Sequence, residues 1–322
     1  MSLVAPFPYF GGKRRAAHIV WKALGDPAGY VEPFAGSAAV LLARTLKGRR
    51  VETLNDADGW LVNAWRAIKL SPARVAEHAY GPVSEVDYHA RLAWLQERRD
   101  KELVEWLEGD PEHHDPKAAG WWLYVLACGI GDPFGPGPWR TVDGKLRKLP
   151  HLGNAGRGVN RELPHLGNAG QGVNRELPHL GDAGQGALEI YLANLAARLS
   201  RVRITCGDWG RVVKPSVTRA GSGGDGSRAI FLDPPYATSG DLYAHREDVG
   251  EAVRDWCASA PADLRIVLCG YDDEHDPLGW LRVDGRSGGG AGYSVRSDNG
   301  RREGLWLSPA CLSTEDQMEL AA

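Results

Sequence analysis

Residues 29–56, GYVEPFAGSAAVLLARTLKGRRVETLND, decide the predicted fold of this chain. Residues 29–34 have the pattern of a short buried strand that runs into a turn. The small residues AGSAA then open a helix that extends through Leu46, and residues 50–55 form the next strand. A strand, a glycine-containing turn, a helix and a second strand make a βαβ unit, which implies a parallel sheet.

Helical patterns flank this unit on both sides. Residues 13–24, KRRAAHIVWKAL, place apolar side chains at helical spacing and end at Gly25-Asp26-Pro27, a stop signal. A further helix is predicted over residues 58–69. The pattern stays helical from 72 to 130, where residues 77–115 hold eleven acidic and four basic side chains. We interpret this charge as a solvated face opposite an apolar stripe formed by Trp94, Leu95, Leu103, Trp106 and Leu107.

A glycine-rich tandem repeat follows a predicted loop over residues 131–148. LPHLGNAGRGVNRE begins at residue 149, LPHLGNAGQGVNRE at 163 and the shorter LPHLGDAGQGA at 177, a period of 14 residues. Residues 139–176 contain seven basic and three acidic side chains, although the whole chain has a net charge of −3. A segregated basic segment suits a polyanion, and a duplicated, solvated loop is the alternative.

The alternation of strands and helices resumes after the repeat. A helix is predicted over 187–199 and another over about 247–259. Strands are predicted over 202–206, 229–232 and 264–270, with later pieces near 292–296 and 304–308. The predicted fold class is therefore α/β, with a mixed, mostly parallel sheet, helices on both faces and an inserted domain of helices and loops. We assign residues 1–70 and 187–322 to the sheet domain and 71–186 to the insertion, with the repeat at 149–187.

Composition narrows the class of protein. Of the 322 residues, 43% are hydrophobic, so a core can form, and the net charge excludes a uniformly basic coat. Five cysteines without a CxxC pair favour reduced thiols and argue against a zinc cluster, so no metal is expected. The amino-terminal charges follow a short apolar stretch, the reverse of a signal peptide, and no run reaches membrane-span length. We therefore expect a cytoplasmic protein without a membrane partner.

The strongest chemical signal is DPPY at residues 233–236, directly after the apolar strand AIFL. Ligands of open α/β sheets bind beyond the carboxyl ends of the strands, so this tetrapeptide is predicted at the active edge. Two prolines remove two N–H donors, which leaves a carboxylate, backbone carbonyls and an aromatic ring. Those groups suit an amine on a flat heterocycle. A structural turn with a solvated aspartate is the alternative.

Three further motifs lie at predicted strand ends or helix starts. VEPFAGSAA, residues 31–39, allows close backbone approach to a ligand, and Asp56 follows the next strand where an acidic residue can hold ribose hydroxyls. PYFGGK, residues 8–13, combines Gly-Gly with a lysine able to meet a carboxylate. GDW, residues 207–209, places a carboxylate after a strand. Each alone is also compatible with an ordinary loop, and no phosphate-binding GxxxxGK[ST] pattern is present.

Taken in order, PYFGGK, EPFAGSAA, NDAD, GDW and DPPY resemble the Dam-like DNA adenine methyltransferases, over about residues 1–70 and 187–310. The resemblance implies a sheet of the S-adenosylmethionine-dependent methyltransferase type, an inserted target-recognition domain and N6-methylation of a flipped-out adenine in double-stranded DNA. It implies cofactor contacts by the residues that match the family motifs: Tyr9, Lys13, Glu32, Pro33, Phe34, Ala35, Gly36, Ser37, Asp56 and Asp208. It assigns the target adenine to Asp233, Pro234, Pro235 and Tyr236. Ala38 stands where the family usually has glycine.

Other functions remain open from the sequence. Methylation of the exocyclic amine of cytosine needs the same acceptor geometry, and a catalytically inactive DNA-binding regulator could retain the fold. A bacterial or phage origin and a cognate restriction endonuclease as a further partner are compatible with the resemblance. We expect a monomer, with a dimer as the alternative. Phosphate contacts are predicted from the basic insertion, by Arg140, Arg147, Lys148, Arg157 and Arg161.

Overall fold

The computed structural model describes residues 3–9, 13–45, 48–98, 101–110, 112–129, 134, 139–142, 145–148, 180–218, 226–235, 246–271, 273–284 and 303–312. The chain divides into two compact units. Unit 1 comprises residues 1–4, 9–57 and 201–322, and unit 2 comprises residues 5–8 and 58–200. The division falls after residue 57 and after residue 200. The helices that precede and follow the insertion therefore both belong to unit 2.

The helices and strands alternate in unit 1, whereas unit 2 is mainly helical. In chain order they are α1 (Ala17–Leu24), β1 (Gly29–Glu32), α2 (Ala39–Ala43), β2 (Val51–Asp56), α3 (Gly59–Leu70), α4 (Pro72–Ala79), α5 (Glu85–Glu97), α6 (Lys101–Gly109), α7 (Pro116–Cys128), β3 (Trp139–Val142), β4 (Lys145–Lys148), α8 (Leu180–Leu199), β5 (Val202–Cys206), α9 (Pro215–Thr218), β6 (Arg228–Leu232), α10 (Arg246–Ser259), β7 (Leu264–Tyr271), β8 (Leu281–Asp284) and β9 (Glu303–Leu307).

Unit 1 is built on a seven-stranded sheet in the order β5-β2-β1-β6-β7-β9-β8. The first five strands in this order are parallel, and β9 pairs antiparallel with both β7 and β8. From β1 the chain proceeds to β2 and β5 on one side, and it then crosses to β6 on the other side of β1. The order therefore reverses between β1 and β6, where open sheets of this kind bind ligands.

Helices cover both faces of this sheet. On one face Val253 and Cys257 of α10 join a buried cluster with Ile230, Ile266 and Trp306. Successive side chains of a strand alternate between faces, so Arg265 points to the other face. There its guanidinium donates to the Leu24 carbonyl oxygen at 2.8 Å, which places α1 on that face. The expected α/β architecture with a mostly parallel sheet is confirmed.

Unit 2 is a helical unit with one hairpin. Helix α7 packs against α3, α4 and α5, while α8 packs against α3 and α4. Aromatic rings fill its interior, with Phe7 5.3 Å from Trp65 and 4.9 Å from Trp122 between ring centroids. Of the predicted apolar stripe, Leu95 and Leu107 are buried. Trp106 is largely exposed and does not belong to the core.

Several predicted boundaries differ from the structure. The helix expected from residue 35 to Leu46 occupies only Ala39–Ala43, because Gly36 and Ala38 both adopt positive φ angles that interrupt a right-handed helix. The loop predicted over 131–148 contains the antiparallel hairpin β3–β4. Strand β8 was not predicted, and the piece expected near 292–296 lies outside the described residues. In the part of the chain that the structure describes, no helix has the length and apolar composition needed to cross a bilayer.

Candidate active site

Most of the described residues from the sequence motifs converge on one edge of the unit 1 sheet. Because β5, β2, β1 and β6 are parallel neighbours, the residues after them meet at their carboxyl ends. Asp208 follows β5, Pro33 follows β1, and Asp233 follows β6. The sequence predicted Asp56 directly after β2, whereas the structure makes it the last residue of that strand. The motifs are far apart in the chain and adjacent in the sheet.

Asn55 ties three of these strand ends together. Its side-chain amide donates to the Pro33 carbonyl oxygen at 3.0 Å and to the Gly207 carbonyl oxygen at 2.9 Å. The Thr205 hydroxyl donates to the Asn55 side-chain oxygen at 2.9 Å, which fixes the orientation of the amide. Asn55 was not predicted as a site residue. Its signal was a polar side chain at the end of a strand whose preceding residues are buried.

The turn after β1 is fixed by β2. The Ala35 N–H donates to the Asn55 carbonyl oxygen at 2.8 Å, and the Gly36 N–H donates to a carboxylate oxygen of Asp56 at 3.0 Å. Gly36 has φ +47°, and a Cβ atom there would lie 2.7 Å from a ring carbon of Tyr9. The ring of Tyr9, 42% exposed, thus lies against the backbone of the turn. A side chain at residue 36 would require the Tyr9 ring to shift, and the left-handed conformation also favours glycine.

Glu32 supports the same turn from its buried side. Its side chain is 1% exposed, and one carboxylate oxygen accepts the Leu41 N–H and the Tyr30 hydroxyl, both at 2.6 Å. Burial and the adjacent Glu32 carboxylate raise the pKa of Tyr30, so the phenol stays a hydrogen-bond donor. Glu32 therefore connects β1 to the start of α2. The described contacts of Glu32 hold the turn from its buried side, whereas the family resemblance assigns Glu32 to cofactor binding.

An ion triad lies at the carboxyl ends of β6 and β7, on one side of the point where the strand order reverses. The ammonium group of Lys13 is 2.8 Å from a carboxylate oxygen of Asp233 and 2.8 Å from one of Glu303, the first residue of β9. The Lys13 side chain is 5% exposed, while Asp233 and Glu303 are 19% and 25% exposed. Lys13 does meet a carboxylate, but its partners are two carboxylates of this chain. Glu303 was missed because nothing near it in the sequence marks a site.

The charges of the triad determine its protonation. Burial alone would lower the pKa of Lys13, but the carboxylates of Asp233 and Glu303 outweigh it and hold that pKa above the ordinary value. Burial, followed by the charge of Asp233, raises the pKa of Cys269 on β7. At neutral pH the site therefore holds a protonated lysine beside Asp233 and a neutral thiol. All five cysteines of the chain are buried and free of disulfide bonds.

The remaining motif residues border the same edge. Asp208 is exposed, and its carboxylate accepts the Gly210 N–H at 2.8 Å. Phe34 lies 6.1 Å from Trp209 between ring centroids, at an interplanar angle of 32°. Pro234 is buried, while Ser37 and Pro235 are half-buried. Tyr236 lies outside the described residues.

The predicted DNA-contacting residues belong to unit 2. Arg140 pairs with Arg147 across the hairpin, and Lys148 pairs with Trp139. Arg157 and Arg161, together with most of the 14-residue repeat, lie outside the described residues. The hairpin thus places three of the five basic residues on two paired strands, where the sequence predicted a loop.

Among the described residues, no group of three or more His, Cys, Asp or Glu side chains could hold a metal ion. No protein-family model matches the chain. A search of curated proteins also found no match.

Proposed function

We propose that this protein is an S-adenosylmethionine-dependent DNA methyltransferase that acts on the N6 amine of a flipped-out adenine. The observation that carries the proposal is the convergence of the motif residues at the edge where the strand order reverses, with Asp233 held there by a buried lysine. A mostly parallel sheet with helices on both faces is the architecture that the family resemblance implies. This agreement supports a methyltransferase-like fold for unit 1.

The residues at this edge fit the cofactor chemically. The turn carries no side chain at Gly36 and lies beside the exposed Tyr9 ring, which suits close approach of a flat or extended ligand. Asp56 is half-buried, and one of its carboxylate oxygens faces the Gly36 N–H. We assign Asp56 to the ribose hydroxyls and the exposed Asp208 to the adenine ring. When bound, S-adenosylmethionine supplies a methyl group activated by a positively charged sulfur.

We assign Asp233 and Pro234 to the target base. The exocyclic amine of adenine is a poor nucleophile because its lone pair is delocalised into the ring. Hydrogen bonds from its N–H groups to the Asp233 carboxylate and the Pro234 carbonyl oxygen localise that lone pair on nitrogen. Lys13 fixes the carboxylate in place, so the acceptor is oriented before the base arrives. Tyr236 is assigned to stacking on the extruded base.

The proposal is tested first by titrating the protein with S-adenosylmethionine in a calorimeter. The second measurement is tritium transfer from labelled cofactor to DNA, followed by identification of the modified base. Asp233→Ala should lower the transfer rate about a hundredfold, since removing a charged acceptor costs about 2–3 kcal/mol. Cofactor affinity should change little, and Lys13 keeps Glu303 as a partner in this variant.

Asp263→Ala is the matched control. Asp263 is an exposed carboxylate before β7, at the opposite edge of the sheet, where it pairs with Arg228. Its variant should transfer methyl groups at the wild-type rate. Absence of cofactor binding by the wild-type protein would refute the methyltransferase function and would favour the alternative of a catalytically inactive DNA-binding regulator. Transfer to cytosine N4 would replace adenine as the target while keeping the assigned chemistry.

A further inference from the structure

Helices α5 and α7 of unit 2 carry a cluster of cations on aromatic rings. We name it the α5–α7 cluster and define it by Arg91 and Trp94 of α5, Arg98 directly after that helix, and Lys117 and Trp121 of α7. Arg91 and Trp94 are three positions apart, Arg98 caps the carboxyl end of α5 four positions after Trp94, and Lys117 and Trp121 are four apart on one face of α7. The two indoles meet edge to face, with centroids 4.9 Å apart at 73°.

Each cation lies over a ring. The Arg98 guanidinium is 4.0 Å from the Trp94 centroid, and the Lys117 ammonium is 5.1 Å from Trp94 and 4.4 Å from Trp121. The Arg91 guanidinium is 3.9 Å from the Tyr124 centroid and 5.8 Å from the Trp121 centroid, and its Nη1 atom is buried, so Arg91 supports the cluster from its inner side. All these distances are within the roughly 6 Å range of cation–π attraction. The rings hold the charges in place without neutralising them.

The cations of the cluster are not neutralised by carboxylates. None of the three forms an ion pair with a carboxylate in the described part of the chain. Asp87 shares the face of α5, one turn before Arg91, and Glu97 lies to the side of Arg98. Residues 77–115, which include α5, have a net charge of −7, and Asp115 lies two residues before Lys117 at the start of α7. Arg98 and Lys117 are thus cations with no ion-pair partner among the described residues, in a segment that is acidic on average.

We infer that the α5–α7 cluster binds the phosphates of duplex DNA, an inference that rests on the proposed function. A guanidinium stacked on an aromatic ring keeps its N–H edges available for phosphate oxygens. Arg98 is exposed and Lys117 half-buried, so both can reach a ligand at the surface. A preset arrangement of cations also loses less side-chain freedom on binding. The partner is the phosphate backbone, and no base sequence is read by these residues.

The test is DNA binding by fluorescence anisotropy from 50 to 200 mM salt, a range set by the usual salt response of such complexes. The double variant Arg98→Gln, Lys117→Gln should bind roughly tenfold more weakly for each phosphate interaction that it removes, and the slope of log affinity against log salt should fall by about 1.8. Arg98→Gln alone changes an exposed side chain and should remove about 0.9 of slope. The charge-conserving pair Arg98→Lys, Lys117→Arg should retain the wild-type slope.

Lys22→Gln, Arg201→Gln is the matched control. Both residues are exposed cations of unit 1 near the amino ends of the parallel strands, away from the candidate site. Equal affinities and slopes for the control and the cluster variant would overturn the inference, and cofactor binding and methyl transfer would be unaffected by that result. A wild-type protein that binds S-adenosylmethionine but no DNA at 50 mM salt would instead overturn the DNA partner of the proposed function.

Discussion

Replacing Lys13 with methionine would remove the one cation of the ion triad while keeping a side chain of similar length. Two carboxylates, each 2.8 Å from the ammonium, would then lose the cation that lies between them. Removing one partner of a buried ion pair costs about 3–5 kcal/mol. Asp233 and Glu303 keep 19% and 25% exposure and so retain some hydration. We therefore expect the lower end of that range, about 3 kcal/mol of unfolding free energy.

Urea and thermal unfolding measure this destabilisation. For a domain of this size, 1 kcal/mol shifts Tm by about 2–4 °C, so Lys13→Met should lower Tm by roughly 6–12 °C. Adding Glu303→Gln to this variant removes one of the two facing carboxylates and should recover part of the stability. In the wild-type background the same Glu303→Gln should destabilise, because Lys13 then loses its 2.8 Å ion pair with Glu303.

The triad therefore predicts that Glu303→Gln raises the free energy of unfolding in the Lys13→Met background and lowers it in the wild-type background. A double-mutant cycle on Lys13 and Glu303 should give a coupling energy above about 1 kcal/mol, against the few tenths seen for independent sites. Additive effects, or a change within about 0.5 kcal/mol for Lys13→Met, would refute the stabilising role of the triad.

Two further outcomes are expected. Gly36→Ala should lower the free energy of unfolding by about 1–2 kcal/mol, because residue 36 has a positive φ angle, and it should weaken cofactor binding by displacing Tyr9. Gly226→Ala is the control for backbone strain, since Gly226 also has a positive φ angle but lies in open space. This control variant should show unchanged cofactor affinity in calorimetry. At alkaline pH the folded state keeps the proton of Lys13 after the unfolded chain, with an ordinary pKa of 10.5, has released it. The contribution of Lys13 to the free energy of unfolding is thus fully present at neutral pH and declines as the pH rises above about 10.5. In urea unfolding measured at a series of pH values, Lys13→Met should reduce the loss of stability in the alkaline range. An unchanged dependence of stability on alkaline pH would contradict the raised pKa of Lys13.

Much of the sheet was predictable because its strands are locally distinct. Strand β5 has the predicted bounds, and β6, β7 and β9 differ by one residue at one or both ends. The alternation of apolar strands with amphipathic helices is a property of short segments, and it needs no knowledge of the fold. Strand β8 was missed because three of its four side chains are exposed, so it has no apolar pattern. The hairpin β3–β4 was missed because glycine and proline surround it.

The sequence by itself determined six of the seven strands of the unit 1 sheet, that those at the start are parallel, and that Asp56, Asp208 and Asp233 lie at the same edge of a sheet. Tertiary structure alone decided the partners of these residues. Lys13 meets Glu303 because β9 inserts antiparallel between β7 and β8, which brings its first residue to the carboxyl end of β7. Strand order depends on packing between segments distant in sequence, and no local pattern encodes it. Asn55 likewise bridges Pro33 and Gly207 only after β2 lies between β1 and β5.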